Sequence, residues 1–249
     1  MGKQKIKLEF LIHDLKVPLA IIEAGIISLL KREDKYGPLT EKQQKVLTRV
    51  LRNTNITKTL VNDTLEVGRS TEGIINKNKI VLSGFIEQSL VELFDLVDCD
   101  AADSIKSCGN LSVLKQKLSE HGILLHIDDG LWCHELSLDE RKMGQILRNL
   151  LNNALKYRKA QVVVKIEISN GCLLISVSDD GQGIPETYHK NIFESYFQMD
   201  QKKDHCVRGH GLGLAGVMVL VEDMGGELLL ESDVGKGAKF SVRVPIGSS

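Results

Sequence analysis

Four polar side chains near residue 150 have the types and spacing that a bound metal nucleotide would require: Asn149, Asn153, Lys156 and Tyr157. A helix over Gln145–Tyr157 would place them together, because residues three and four apart share a helix face. Asparagine oxygens are neutral ligands for a hard cation, a lysine ammonium attracts phosphate, and a tyrosine ring offers a flat surface to a base or sugar. The other side of this helix is apolar and suited to a core. An ordinary solvated helix face is the alternative on this pattern alone.

A first glycine-rich stretch contains two adjacent carboxylates, in the order Asp179-Asp180-Gly181-Gln182-Gly183-Ile184. It follows directly on a predicted strand. Glycines at alternate positions let the backbone approach a flat ligand closely, and a carboxylate such as Asp180 can accept a hydrogen bond from an exocyclic amine. Such an acceptor favours adenine over guanine. The alternative is a simple turn, since Asp-Gly pairs are typical of turns.

A second glycine-rich stretch begins a predicted helix that runs to about Met224. It comprises Arg208, Gly209, His210, Gly211, Leu212 and Gly213. Free N–H groups at a helix start bind phosphates. The spacing through Gly216 also matches a dinucleotide fingerprint, but that fingerprint follows a buried strand, whereas residues 200–208 are polar. We interpret residues 200–208 as a lid whose basic side chains reach phosphates.

His13 is a candidate phosphoryl acceptor. Its imidazole nitrogen can attack phosphorus, and the adjacent Asp14 can orient the ring or accept its proton. Pro18 lies inside the same predicted helix, where it produces a kink that a functional bend would explain. A surface histidine among charged neighbours is the alternative.

Two long helices are predicted to carry and follow His13. Apolar residues recur at heptad spacing from Leu8 to Leu29, which indicates packing in a helical bundle. Thr40 and Gln43 form a predicted capping box that starts a second helix, which ends near Gly68. Because two helices bury little surface alone, we expect two hairpins to pair as a four-helix homodimer.

The remaining chain is predicted to contain a hinge and then alternating helices and strands. Helices are expected over 84–97 and 111–121, and Ser137 or Asp139 caps the asparagine helix. Strands are expected over 123–127, 132–136, 162–168, 172–178, 227–230 and 240–244, with a hairpin turn at 169–171.

Composition restricts the classes of function. The 249 residues carry a formal net charge of -1, which gives no support for a nucleic-acid partner. Five cysteines without a CxxC pair indicate reduced thiols and no structural zinc. No apolar run is long enough to cross a membrane, so we expect this chain to be cytoplasmic, whether or not a parent protein is attached to a membrane.

These pieces, in this order, resemble the sensor histidine kinases of two-component systems over nearly the whole chain. The resemblance covers His13–Leu19 as the phosphoacceptor box, Asn149–Tyr157 as the asparagine box, the two glycine boxes at 180–183 and 209–213, and the phenylalanine box at 192–197. It implies an α+β protein of two domains. Residues 1–70 would form an antiparallel helical hairpin within a dimeric four-helix bundle, 71–82 a hinge, and 83–249 an ATP-binding α/β sandwich with a mixed sheet, of the type shared with gyrase and MutL.

The resemblance also implies roles for the matching residues. His13 would take the γ-phosphoryl group of ATP, with Asp14 polarising it, and pass it to an aspartate in the receiver domain of a response regulator. Asn149 and Asn153 would hold Mg²⁺ and phosphate, with Lys156 on phosphate and Tyr157 beside adenosine. Asp180 would bind the adenine amine, in a loop completed by Gly181, Gly183 and Ile184. An upstream sensor or input domain is expected outside this chain. Val17 departs from the Thr or Asn that related phosphatase-competent kinases carry, which predicts weak dephosphorylation of the regulator.

Overall fold

The computed structural model describes residues 8–70, 75–94, 104–106, 108, 110–194 and 213–247. The chain divides into two compact units, residues 1–72 and 73–249, and each is described here by itself. Among the helices of these described residues, none combines the length and the apolar character that a membrane crossing requires.

The first unit is a helical hairpin. Helix α1 covers Leu8–Lys31, the short α2 covers Glu33–Tyr36, and α3 covers Glu41–Ser70. Gly37 makes the connection with a φ of 80°, a conformation that favours glycine. The predicted capping box is confirmed, because the Thr40 N–H donates to Gln43 Oε1 at 2.9 Å and the Gln43 N–H donates to Thr40 Oγ1 at 3.3 Å.

Helices α1 and α3 pack against each other along their length. Ile26 is buried in this unit, and the ion pair between Lys58 and Glu23 joins the two helices. Two residues of the predicted heptad, Leu15 and Ile22, are nevertheless 44% and 45% exposed. The hairpin therefore presents an apolar surface that it does not cover itself.

The second unit is built on a five-stranded sheet in the order β2-β4-β5-β7-β6. The β2–β4 pair is parallel and the other neighbouring pairs are antiparallel, so the sheet is mixed, as predicted. The strands are β2 Ile123–Ile127, β4 Val162–Ser169, β5 Cys172–Asp179, β6 Glu227–Ser232 and β7 Ala238–Pro245. A separate two-stranded sheet pairs β1 (Asn78–Val81) with β3 (Glu135–Leu138).

Helices cover one face of the main sheet. They are α4 Leu82–Phe94, α5 Leu111–Glu120, α6 Asp129–Trp132, α7 Glu140–Tyr157 and α8 Gly213–Asp223. Helix α7 contacts β4 and β5, while α8 contacts β6 and β7 and also packs on α7. Alternate residues of β5, Leu173, Ile175 and Val177, are fully buried beneath these helices, as the two-residue period of a strand requires. The predicted α/β sandwich is confirmed.

Two sequence-based expectations differ from the structure. A strand was predicted over 132–136, but its predicted first residue is wrong. Asp128 caps the short helix α6, which includes Trp132, and β3 begins only at Glu135. Part of the predicted 71–82 hinge is ordered structure, because residues 78–81 form β1 and pair with β3. The first difference arises from a local helix cap, and the second from a pairing partner that is distant in sequence. Most of the loop at 98–110 lies outside the described residues.

Candidate functional site

Helix α7 carries the candidate metal and phosphate residues, and Asp139 determines where it begins. The Asp139 carboxylate accepts hydrogen bonds from the N–H of Lys142 at 3.1 Å and of Asn76 at 2.9 Å. It is therefore the helix cap, and Ser137 is not. The apolar side of the helix is buried, which turns the asparagine side outward.

Asn149 and Asn153 lie one turn apart on this outer side, and both are half-buried. Within the part of the chain that the structure describes, neither amide group has a hydrogen-bond partner. The start of α8 lies beside Asn149, since a Cβ added at Gly213 would be 3.8 Å from Asn149 Oδ1. The two amide oxygens are thus available to a ligand that approaches a helix N-terminus.

The donor set fits a hard cation bound together with phosphate. The described residues contain no group of three or more His, Cys, Asp or Glu that could hold a metal ion. A cation here would take neutral amide oxygens from α7 and complete its coordination with phosphate oxygens and water, as Mg²⁺ commonly does in nucleotide sites.

Lys156 and Tyr157 lie together at the end of α7. The Lys156 Nζ is 4.7 Å from the centroid of the Tyr157 ring, and this ring is 48% exposed. A cation over an aromatic face is attracted by the ring quadrupole, so the lysine stem is held close to the ring. The pair presents one charge and one flat surface to any ligand at this end of the helix.

The two adjacent carboxylates after β5 have different surroundings. Asp179 is the last residue of β5 and lies on the same face as Val177, which is the face that the helices cover. Its Oδ1 accepts from the Gly181 N–H at 2.8 Å. Burial raises the pKa of the Asp179 carboxyl above its usual value, opposed by the N–H groups of Gly181 and Ala238 and assisted by the neighbouring charge of Asp180.

Asp180 instead accepts hydrogen bonds from the backbone of the segment that follows α7. Its Oδ1 lies 2.8 Å from the Lys159 nitrogen and 3.0 Å from the Ala160 nitrogen. The N–H groups around it, that of Ala160 foremost, hold the pKa of Asp180 below its usual value. The geometry therefore favours Asp179 for the amine-binding role that the sequence analysis assigned to Asp180.

The glycine turn, residues 180–184, packs tightly on two neighbours. A Cβ added at Gly181 would be 2.3 Å from Tyr157 O, and one added at Gly183 would be 1.9 Å from Asp233 O. Gly183 also has a φ of 71°. Only glycine fits both positions. The glycines were predicted to let the backbone approach a flat ligand. In the structure they let it approach the backbone of Tyr157 and Asp233.

Ser232 connects the same turn to the β6–β7 connection. Its hydroxyl accepts from the Ile184 N–H at 2.8 Å and donates to Gly237 O at 2.7 Å. Ser232 was not among the residues predicted from the sequence, and Asp179 was named there only as one of two adjacent carboxylates, without a role. The two-residue period of β5 could have identified Asp179, because it places this residue on the inner face.

Several predicted site residues belong to the first unit or lie outside the described residues. His13 lies in α1, but its side chain falls outside the described residues, whereas Asp14 is exposed in the same helix. Both belong to the first unit. Arg208 and its neighbours up to Leu212, together with the predicted lid at 200–208, also lie outside the described residues. Phe193 of the predicted phenylalanine box packs edge-to-face on Phe240, with ring centroids 6.4 Å apart.

Comparison with known proteins identifies the family. Residues 138–248 match the model of the histidine kinase-, DNA gyrase B-, and HSP90-like ATPases. The circadian input-output histidine kinase CikA of Synechococcus elongatus is 30% identical over 94% of this chain. The aerobic respiration control sensor protein ArcB of Escherichia coli is 30% identical over 93% of it. Residues 138–248 therefore form a domain of this ATPase family, and the chain is similar to sensor histidine kinases over more than nine-tenths of its length.

Solved histidine kinases share the fold over nearly all of this chain. Full-length ShkA in complex with AMPPNP is 25% identical, with a TM-score of 0.67 over 97% of this chain and 46% of that one. The Acinetobacter baumannii histidine kinase AdeS has the same fold at 18% identity, with a TM-score of 0.58. The chain spans only 29% of the length of CikA and 27% of that of ArcB.

Proposed function

We propose that the chain uses ATP to phosphorylate His13 and that the phosphoryl group then passes to an aspartate in the receiver domain of a response regulator. The observation that carries this proposal is the pair of asparagine amides on α7, which have no hydrogen-bond partner among the described residues, in a domain that matches this ATPase family. One of the two, Asn149, lies beside the start of α8. The AMPPNP bound to the related ShkA is consistent with an ATP site.

The nucleotide would bind along α7 and the glycine turn. Asn149 and Asn153 would hold Mg²⁺, which neutralises charge on the phosphates, and Lys156 would contribute a further positive charge. The stretch from Arg208 to Gly213 would donate N–H groups to the phosphates. Tyr157 would flank the adenosine.

We assign the adenine amine to Asp179 in place of Asp180. Asp179 lies on the helix-covered face at the end of β5, while the Asp180 carboxylate already accepts several backbone hydrogen bonds. Gly181, Gly183 and Ile184 would form the wall of the adenine site through the turn that Ser232 fixes.

In the transfer step, an imidazole nitrogen of His13 attacks the γ-phosphorus. The bond from that phosphorus to the β–γ bridging oxygen breaks, and ADP leaves with the electron pair. Asp14 accepts or orients the ring proton. A carboxylate oxygen of the regulator then attacks the same phosphorus, and the imidazole leaves and regains a proton. Positioning and charge neutralisation supply most of the catalysis in such transfers.

A homodimer through the hairpin is part of the proposal. The exposed heptad residues Leu15 and Ile22 support it, because a second hairpin would bury them in a four-helix bundle. Input from a sensor domain would reach this bundle from outside the chain.

Incubation with magnesium and γ-labelled ATP tests the activity. Acid-labile label is expected on the natural chain and is lost in His13→Gln. The matched control is His126→Gln, which changes an exposed histidine of β2 and keeps the label. Free phosphate without label would instead indicate an ATPase of the gyrase kind. If neither labelled protein nor free phosphate forms, the chain is a nucleotide-binding scaffold that signals by conformation alone.

A further inference from the structure

The Asp180 carboxylate makes an extended set of contacts that the proposed function does not use. Its Oδ1 accepts from the N–H groups of Lys159 at 2.8 Å, Ala160 at 3.0 Å and Gln161 at 3.2 Å. Its Oδ2 lies 3.1 Å from the Ala160 nitrogen. One side chain thus binds three successive amides of the segment 159–161.

These amides belong to neither neighbouring element. Helix α7 ends at Tyr157, and the Arg158 N–H closes it by donating to Ala154 O at 2.9 Å. Strand β4 begins at Val162, whose N–H donates to Gly122 O at 2.8 Å. The three N–H groups between them donate to neither element, and an ionised carboxylate is a strong acceptor for them.

The contacts join the two halves of the nucleotide site. Asp180 lies between Asp179, on the adenine side, and Gly181, which lies directly against the carbonyl of Tyr157 at the end of α7. Helix α7 carries Asn153 on the phosphate side. The Arg158 guanidinium anchors the same segment from the other direction, donating to His121 O at 2.7 Å.

We propose that Asp180 is a positioning residue, which holds the end of α7 against the glycine turn and so fixes the separation between the adenine-binding and phosphate-binding groups. The inference rests on the proposed function. It replaces direct contact between Asp180 and adenine, because the carboxylate lone pairs are directed to the backbone of 159–161.

The experiment compares Asp180→Ala, Asp180→Asn and Asp179→Ala in the full chain. Two probes are used, ATP with magnesium, which occupies both halves of the site, and adenosine, which occupies the adenine half alone. We expect Asp180→Ala to weaken ATP binding by about tenfold, because several charge-assisted hydrogen bonds are lost. Adenosine binding is expected to stay within about twofold, because no adenine contact is lost.

The asparagine variant separates positioning from misfolding. Asp180→Asn keeps an acceptor oxygen, so ATP binding is expected to return to within about threefold of the natural chain. Asp179→Ala should weaken ATP and adenosine binding alike. In the absence of nucleotide, Asp180→Ala should also speed hydrogen exchange at the amides of 159–161.

Three results would overturn the inference. The first two are unchanged ATP binding and unchanged hydrogen exchange at 159–161 in Asp180→Ala. The third is an equal loss of affinity for ATP and for adenosine in that variant, which would mean that Asp180 contacts adenine directly. If the natural chain binds no ATP, the proposed function fails first, and the positioning role falls with it. Binding of ATP without phosphorylation of His13 would sink the kinase proposal alone.

Discussion

Replacing Gly183 by alanine should separate the glycine turn from the β6–β7 connection. A Cβ at this position would lie 1.9 Å from Asp233 O, well inside any allowed contact, and this oxygen belongs to the backbone and cannot rotate away. The residue also has a φ of 71°. The variant therefore combines a conformational cost with a steric one.

The structure offers a control that carries the first cost alone. Gly171, in the β4–β5 hairpin, has a φ of 70°, and a Cβ added there would meet nothing within 4 Å. Gly171→Ala should lower the unfolding free energy by about 1–2 kcal/mol, the cost of left-handed backbone for alanine. Gly183→Ala should add the loss of two hydrogen bonds, Gly235 N–H to Gln182 O and Ile184 N–H to Ser232 Oγ, each contributing about 1 kcal/mol.

The expected total for Gly183→Ala is about 3–4 kcal/mol, roughly double that of the control. Urea unfolding measures it, with fluorescence of Trp132, the single tryptophan, which is buried in the second unit. ATP binding should weaken in Gly183→Ala and persist in Gly171→Ala. Equal urea midpoints for the two variants would refute the close-approach argument.

Three further predictions concern the same unit. Asn153→Ala should weaken magnesium-dependent ATP binding at least about tenfold, whereas the exposed neighbour Asn152 should tolerate alanine, as titration calorimetry would reveal. Lys142→Met should cost about 2 kcal/mol in urea unfolding, because it removes a 2.9 Å ion pair whose two side chains are both largely buried. Lys236→Met, in an exposed pair of equal length, should cause no resolvable change. The lowered pKa of Asp180 means that its contribution to stability is present above the unfolded pKa of about 3.9 and is lost as pH falls through the lower folded value. The stability difference between the natural chain and Asp180→Asn should accordingly shrink below about pH 4, and a constant difference would contradict the assignment.

Local patterns in the sequence were sufficient for most elements. The Thr40–Gln43 capping box, the alternation of β5 and the turn before Cys172 depend on residues within a few positions of one another, so they can be predicted without knowledge of the fold. The side of α7 that carries the asparagines follows equally from helical period. The order of these elements and motifs along the chain then led to the family resemblance.

The sequence by itself determined which residue types could bind a nucleotide and on which elements they lie, because type and periodicity are local properties. The alternation of β5 already places Asp179 on the inner face, but only the tertiary structure decided that Asp180 binds the backbone of 159–161. The tertiary structure also identified Ser232, whose hydroxyl accepts a hydrogen bond from the N–H of Ile184, 48 positions earlier in the chain. Such contacts depend on how distant segments pack, and a one-residue difference at the end of a strand reverses the direction of a side chain.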